Sequence, residues 1–138
     1  MKGKAVGLFA VVMGLFAMTV PALAHHSVTA EWDPEKPVHI TGVVSKVEWI
    51  NPHIYLYLDV KDQAGKVTTW SLQTIPTAAM RKAGVTRDMV MGGGKPVTVN
   101  AWGAKDGRTD AAWIIDVTYP DGHKYLLYST ADSNPNGQ

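Results

Sequence analysis

Apolar positions in this chain recur mostly at every second residue from Val38 onward, the period of strands with one face on a core. The clearest case is Ile54, Leu56, Leu58 and Val60, which alternate with Tyr55, Tyr57 and Asp59. Before it, Val38–Trp49 is rich in β-branched residues and carries Gly42 as a bulge or tight bend. Asn51-Pro52 ends that run, because a residue before proline is pushed out of the helical region. Asp62-Gln63-Ala64-Gly65 reads as a hairpin connection into a third strand over Lys66–Thr74. Thr77 can cap one short helix ending near Lys82 or Ala83, with Gly84 as its stop. Thr86-Arg87-Asp88 starts a further turn.

Gly92-Gly93-Gly94-Lys95-Pro96 reads as a flexible turn, and a phosphate loop is excluded: no Ser or Thr follows the lysine and no helix follows the glycines. Strands are expected at Val97–Trp102, Ala112–Thr118 and His123–Tyr128, with a polar loop around Asp106-Gly107 and a turn at Tyr119–Gly122. Three strands, a short helix and two strands with a terminal extension make an all-β chain, in the order of a five- to six-stranded OB-like Greek-key barrel. A sandwich needs about seven strands. In the barrel, loops 49–53 and 103–111 flank the usual ligand face.

The start of the chain breaks this pattern. Lys2 and Lys4 precede an apolar run from Ala5 to Val20, and Ala22-Leu23-Ala24 fits a small-x-small cleavage site, so residues 1–24 are expected to be a secretory signal peptide and the protein periplasmic or secreted. Gly7, Gly14 and Pro21 suit a cleaved leader better than a retained span. Cleavage leaves 138 − 24 = 114 residues: a lead-in over 25–37, a barrel over 38–128 and a flexible tail over 129–138. The mature chain carries 13 − 2 = 11 basic residues against 12 acidic ones, which argues against a nucleic-acid partner held by its phosphates. There is no cysteine, which removes disulfides, thiolate ligands and cysteine nucleophiles.

Cleavage would make His25 the amino terminus, beside His26. An α-amine and an imidazole on one residue can chelate copper, and His53, on the loop after Asn51-Pro52, is the best-placed further donor. The alternative reading makes His25 and His26 solvent-exposed and His53 a hydrogen-bonding loop residue. His39 and His123 read as surface residues. The second candidate site is aromatic: Tyr55 and Tyr57 lie opposite the aliphatic face and Trp49 stands at the adjacent loop, positioned to stack on sugars or bases with Asn51, His53, Lys105, Asp106 and Arg108 around them. The same rings could instead cover the domain's second face. Trp32, Trp70, Trp102 and Trp113 are assigned to packing. No Gly-x-Ser-x-Gly elbow and no nucleophile with a partnered base is visible, so a binding role is expected rather than an enzymatic one. Its ligand would be a small molecule, a glycan or, through an edge strand, an envelope protein.

His25-His26-Ser27, Val47-Glu48-Trp49 followed by Asn51-Pro52-His53, Leu58 to Asp62, Thr86-Arg87-Asp88, Lys105-Asp106-Gly107 and Pro120-Asp121-Gly122 together resemble a widespread, functionally uncharacterised family of small exported bacterial proteins, known only as a domain of unknown function. The resemblance runs from His25 to about Tyr128 and is most distinctive at Glu-Trp-x-Asn-Pro-His. It implies export, a compact β domain and attention to Asn51 and His53. It supplies no substrate, activity or ligand.

Overall fold

A computed structural model describes residues 27–128 of the 138. The proposed signal peptide, His25, His26 and the whole of the expected tail lie outside the described residues. A single turn of helix, α1 (Val28–Glu31), leads straight into β1 (Trp32–Glu48), which is 17 residues long. The strand thus starts six residues before the Val38 that periodicity predicts. Trp32 pairs with Ala104 and Asp33 with Gly103, and the register then slips before Pro37 pairs with Trp102. Pro34 and Pro37 have no N–H to give a ladder, and they fall at the slip, where the missing donors cost least.

The remaining elements are β2 (Tyr55–Lys61), β3 (Val67–Gln73), α2 (Thr77–Lys82), α3 (Arg87–Met91), β4 (Pro96–Ala104), β5 (Ala111–Thr118) and β6 (Lys124–Leu126). Among the described residues three short α-helices and a single 3₁₀ turn (Gly92–Gly94) stand where one helix was expected, and the sixth strand is half its expected length. The order across the sheet is β3-β2-β1-β4-β5-β6. All neighbours in that order run antiparallel, and β3 also pairs with β5 in parallel at Ser71–Ala111, Leu72–Ala112 and Gln73–Trp113.

Local chemistry explains the joints. Asp62 Oδ1 accepts from the N–H groups of Ala64 and Lys66, both at 2.9 Å, while Gly65 takes the left-handed φ of 85° that the tight β2–β3 turn needs. Thr77 is not the cap of α2: Pro76 occupies that position and the Thr77 hydroxyl is used elsewhere. Thr86 does cap α3, its Oγ1 accepting from Met89 N–H at 3.3 Å. Gly42 is not the bulge, which lies between Val44 and Lys46. Gly42 instead permits a close approach, because a Cβ there would stand 2.5 Å from the carbonyl oxygen of Asp59.

The inward face collects Val44, Val47, Leu56, Leu58, Leu72, Val97, Val99, Ile114 and Val117, each no more than 4% exposed. Met80 of α2 and Val90 of α3 are fully buried and join the same core. Tyr119, just past β5, fixes α3 from the other side by donating its hydroxyl to the Val90 carbonyl at 3.0 Å. Burial pushes its phenol up to about 12. In the unfolded chain a tyrosine ionises near pH 10, so between pH 10 and 12 the unfolded state loses this proton while the folded state keeps it. Stability is therefore present below pH 10 and falls as the pH rises towards 12, by about 1–2 kcal/mol after allowance for the ring's partial exposure. Urea titrations from pH 9 to 12 should show that fall, and Tyr119→Phe should shrink it. An equal loss in the variant would assign the effect to other groups.

Candidate functional site

The outer face of β1, β2 and β3 continues the alternation that buries Leu56 and Leu58. Register places Lys46, Tyr57 and Ser71 in one row across the three strands, and Glu48, Tyr55 and Gln73 in the next. The half-buried Tyr57 donates its hydroxyl to Glu48 Oε2 at 3.1 Å. Lys46 Nζ lies 2.5 Å from Glu48 Oε1 and 5.0 Å from the centre of the Tyr57 ring. Desolvation, and next the bond to Glu48, raises the Tyr57 phenol above its ordinary value. The bond from Lys46, and next that from Tyr57, holds the Glu48 carboxyl below its own. At this exposure the ion pair contributes little stability. Its effect is to fix a half-exposed aromatic ring in one orientation.

Loop 49–53 is engaged with the protein itself. Asn51 Oδ1 accepts from Thr77 Oγ1–H at 2.9 Å and from Thr77 N–H at 3.3 Å, tying the loop to the start of α2. Trp49 is half-buried and packs against the core. His53, also half-buried, places Nδ1 3.2 Å from the Thr74 carbonyl oxygen and sets its ring edge-on to Trp113 with centroids 5.3 Å apart. The expected open mouth is an anchor. Asn51→Ala removes the acceptor of both Thr77 donors, leaving that 4% exposed residue only the Arg81 guanidinium at 3.4 Å, and is expected to cost about 1–3 kcal/mol of stability in thermal or urea unfolding. A change below a few tenths of a kcal/mol would show that Thr77 is satisfied without it.

Loop 105–110 divides between two neighbours. Arg108 reaches Glu31 at 2.6 Å and Asp106 at 2.8 Å, and its guanidinium lies 5.3 Å from the centre of the Trp32 ring, so the loop clasps the start of β1. Hydrogen bonds from Arg108, backbone then side chain, hold the Asp106 carboxyl below its usual range. At the other end of the loop the Asp110 carbonyl accepts from Ser71 N–H at 2.9 Å, beside Tyr57 in the cross-strand row. Lys105 is exposed and its backbone N–H reaches the Glu31 carbonyl at 2.9 Å.

The structure therefore groups Tyr55 and Tyr57 with Lys46, Glu48 and the Asp110 end of the loop, and turns Asn51, His53, Asp106 and Arg108 towards other parts of the chain. Lys46 and Glu48 were missed by the sequence reading. Carrying the β2 alternation across to β1, where Lys46 and Glu48 are two apart, is the signal that finds them. Charges on this face balance: Lys46 meets Glu48, and Asp59 and Lys61 follow Tyr57 at alternate positions of β2. Of the three histidines expected to hold a metal, only His53 is described, and no group of three His, Cys, Asp or Glu side chains among the described residues is placed to hold an ion. No helix among them is long and apolar enough to cross a membrane.

A family model described as "Family of unknown function (DUF6152)" matches residues 12–113, about three quarters of the chain. The chain belongs to this family. The match takes in β1 to β4, the anchored loop and the Tyr57 face, and ends at Trp113 in β5. No curated protein and no solved structure matches this DUF6152 chain.

Proposed function

We propose that this chain is an exported, non-enzymatic binding domain of the cell envelope with an OB-like barrel fold, and that it takes an uncharged glycan on the outer face of β1–β3. Three features support the fold reading. The ladders link β1, β2, β3, β5 and β4 in a circuit, β3 meets β5 in parallel, and α2 and α3 fall between β3 and β4. The leader-like first 24 residues support export.

The observation that carries the ligand reading is the Tyr57 ring, half-exposed and held by Glu48 and Lys46 among charges that cancel. A pre-ordered aromatic ring stacks on a sugar at small entropic cost, while a face without surplus cations gives a phosphate backbone nothing to pair with. Amide shifts during titration with cello-oligosaccharide and with chito-oligosaccharide should move at Tyr55, Tyr57 and Ser71. Tyr57→Ala should weaken binding about fivefold to a hundredfold, the range for one lost stacking contact. Silence on this face with every glycan, or an equal response to an oligothymidylate, would remove the reading.

Copper is the second reading, favoured by one contact. A His53 Nδ1–H donated to the Thr74 carbonyl leaves Nε2 bare, the arrangement in which a ring is oriented for a metal. With His25 as a free amino terminus, His25, His26 and His53 would supply the nitrogens. Tight one-to-one Cu²⁺ binding by the cleaved protein should then be lost in His53→Ala and when one residue is added before His25. Copper affinity unchanged by both alterations would end it.

A further inference from the structure

A separate cleft of about 230 Å³ lies between the turn after β5 and the Gly92–Lys95 segment. It is smaller than a drug-sized pocket and has room for a single ring. Met89 and Pro120 line it together with the rings of Tyr119 and Tyr125, which meet edge to face at 5.4 Å, and His123 lies 5.2 Å from Tyr125 on the outer side. Gly92 keeps the cleft open, since a Cβ on it would come within 2.9 Å of the Tyr119 ring. Two charged side chains border it. Lys95 is exposed and makes no ion pair among the described residues, and Asp121 spends Oδ1 on the His123 backbone N–H at 2.9 Å, which leaves Oδ2 for another donor.

We infer that this cleft binds a monosaccharide carboxylate of the uronic-acid type, with its ring against Tyr125, its carboxylate on Lys95 and a ring hydroxyl donated to Asp121. The aromatic wall supplies contact area to one face of a pyranose. The unpaired ammonium selects a carboxylate over a neutral sugar, through a charge-assisted hydrogen bond stronger than a neutral one. Asp121 selects a hydroxylated ring over a bare aromatic acid, which would desolvate its carboxylate without offering a hydrogen-bond donor. The assignment does not depend on the Tyr57 face.

The test is an amide-shift titration of the full chain with glucuronate, glucose and benzoate in parallel. Glucuronate should saturate at a concentration on the order of a millimolar, suited to a one-ring ligand, and move the signals of Gly92, Lys95, His123 and Tyr125. Glucose and benzoate should each bind about tenfold more weakly or worse. Lys95→Met, which keeps the stem and removes the charge at an exposed position, should weaken glucuronate about tenfold, while Tyr57→Ala leaves it unchanged. No saturable shift in the cleft, or indifference to Lys95→Met, would overturn the site. Equal binding of glucose or of benzoate would overturn the uronic-acid assignment.

Discussion

Trp113→Ala is expected to cost about 3–5 kcal/mol, enough to unfold much of a domain whose total stability is of the usual 5–15 kcal/mol. Trp113 is 2% exposed on β5, where it pairs with Trp102 of β4 on one side and Gln73 of β3 on the other. It also receives the edge of the His53 ring. Removing the indole opens a cavity where three strands and the anchored loop meet. The informative companion is Trp113→Phe. The indole Nε1 is buried without a hydrogen-bond acceptor among the described residues, so phenylalanine forfeits volume but no hydrogen bond. Its cost should be about 1–2 kcal/mol, read as the difference in urea midpoint at constant slope. If the two variants fall together, the indole N–H has a partner that matters.

Gly42→Ala is the second change with a large expected effect, because the obstacle is backbone. The new Cβ would sit 2.5 Å from the Asp59 carbonyl oxygen and 3.0 Å from both the Asp59 carbonyl carbon and Leu58 Cγ. At the next residue, Val43, β1 pairs with Pro96 of β4 and with Asp59 of β2 at once, so the strand is changing partners where it has least room. Relief requires β1 and β2 to separate, at about 1–3 kcal/mol and towards the upper end because a carbonyl cannot rotate away as a side chain can. Amide exchange at Val43 and Val44 should speed up together with a lower unfolding midpoint. Native-like exchange at both positions would show that the ladder yields without cost.

Much of the strand pattern was legible in the chain because one-sided burial writes itself as alternation. Leu56 and Leu58 are fully buried and Tyr55 and Tyr57 half-buried, as the period of two requires. Glycine and aspartate at the β2–β3 turn were equally readable, since few other residues meet that geometry. The start of β1 was not. Pro34 and Pro37 argue locally against a strand, and only β4, more than sixty residues later, supplies the pairing that overrides them. The same limit applied at the candidate site. Asn51 and His53 stand out in the sequence, but their partners Thr77, Thr74 and Trp113 are distant along it, so anchoring cannot be told there from ligand binding. Arg108 was placed in a ligand loop for the same reason, its partner Glu31 lying on the other side of the whole sheet in chain order.

The pairing of Trp32 with Ala104 has a consequence for biogenesis. The earliest strand of the described domain waits for one of the last, across 104 − 32 = 72 residues, and the parallel contact of β3 with β5 forms only once Ala111 has been made. Loops of that length close slowly, so the β1–β2–β3 meander forms first and the seams of β1 with β4 and of β3 with β5 close last, which makes those two seams the slow step of folding.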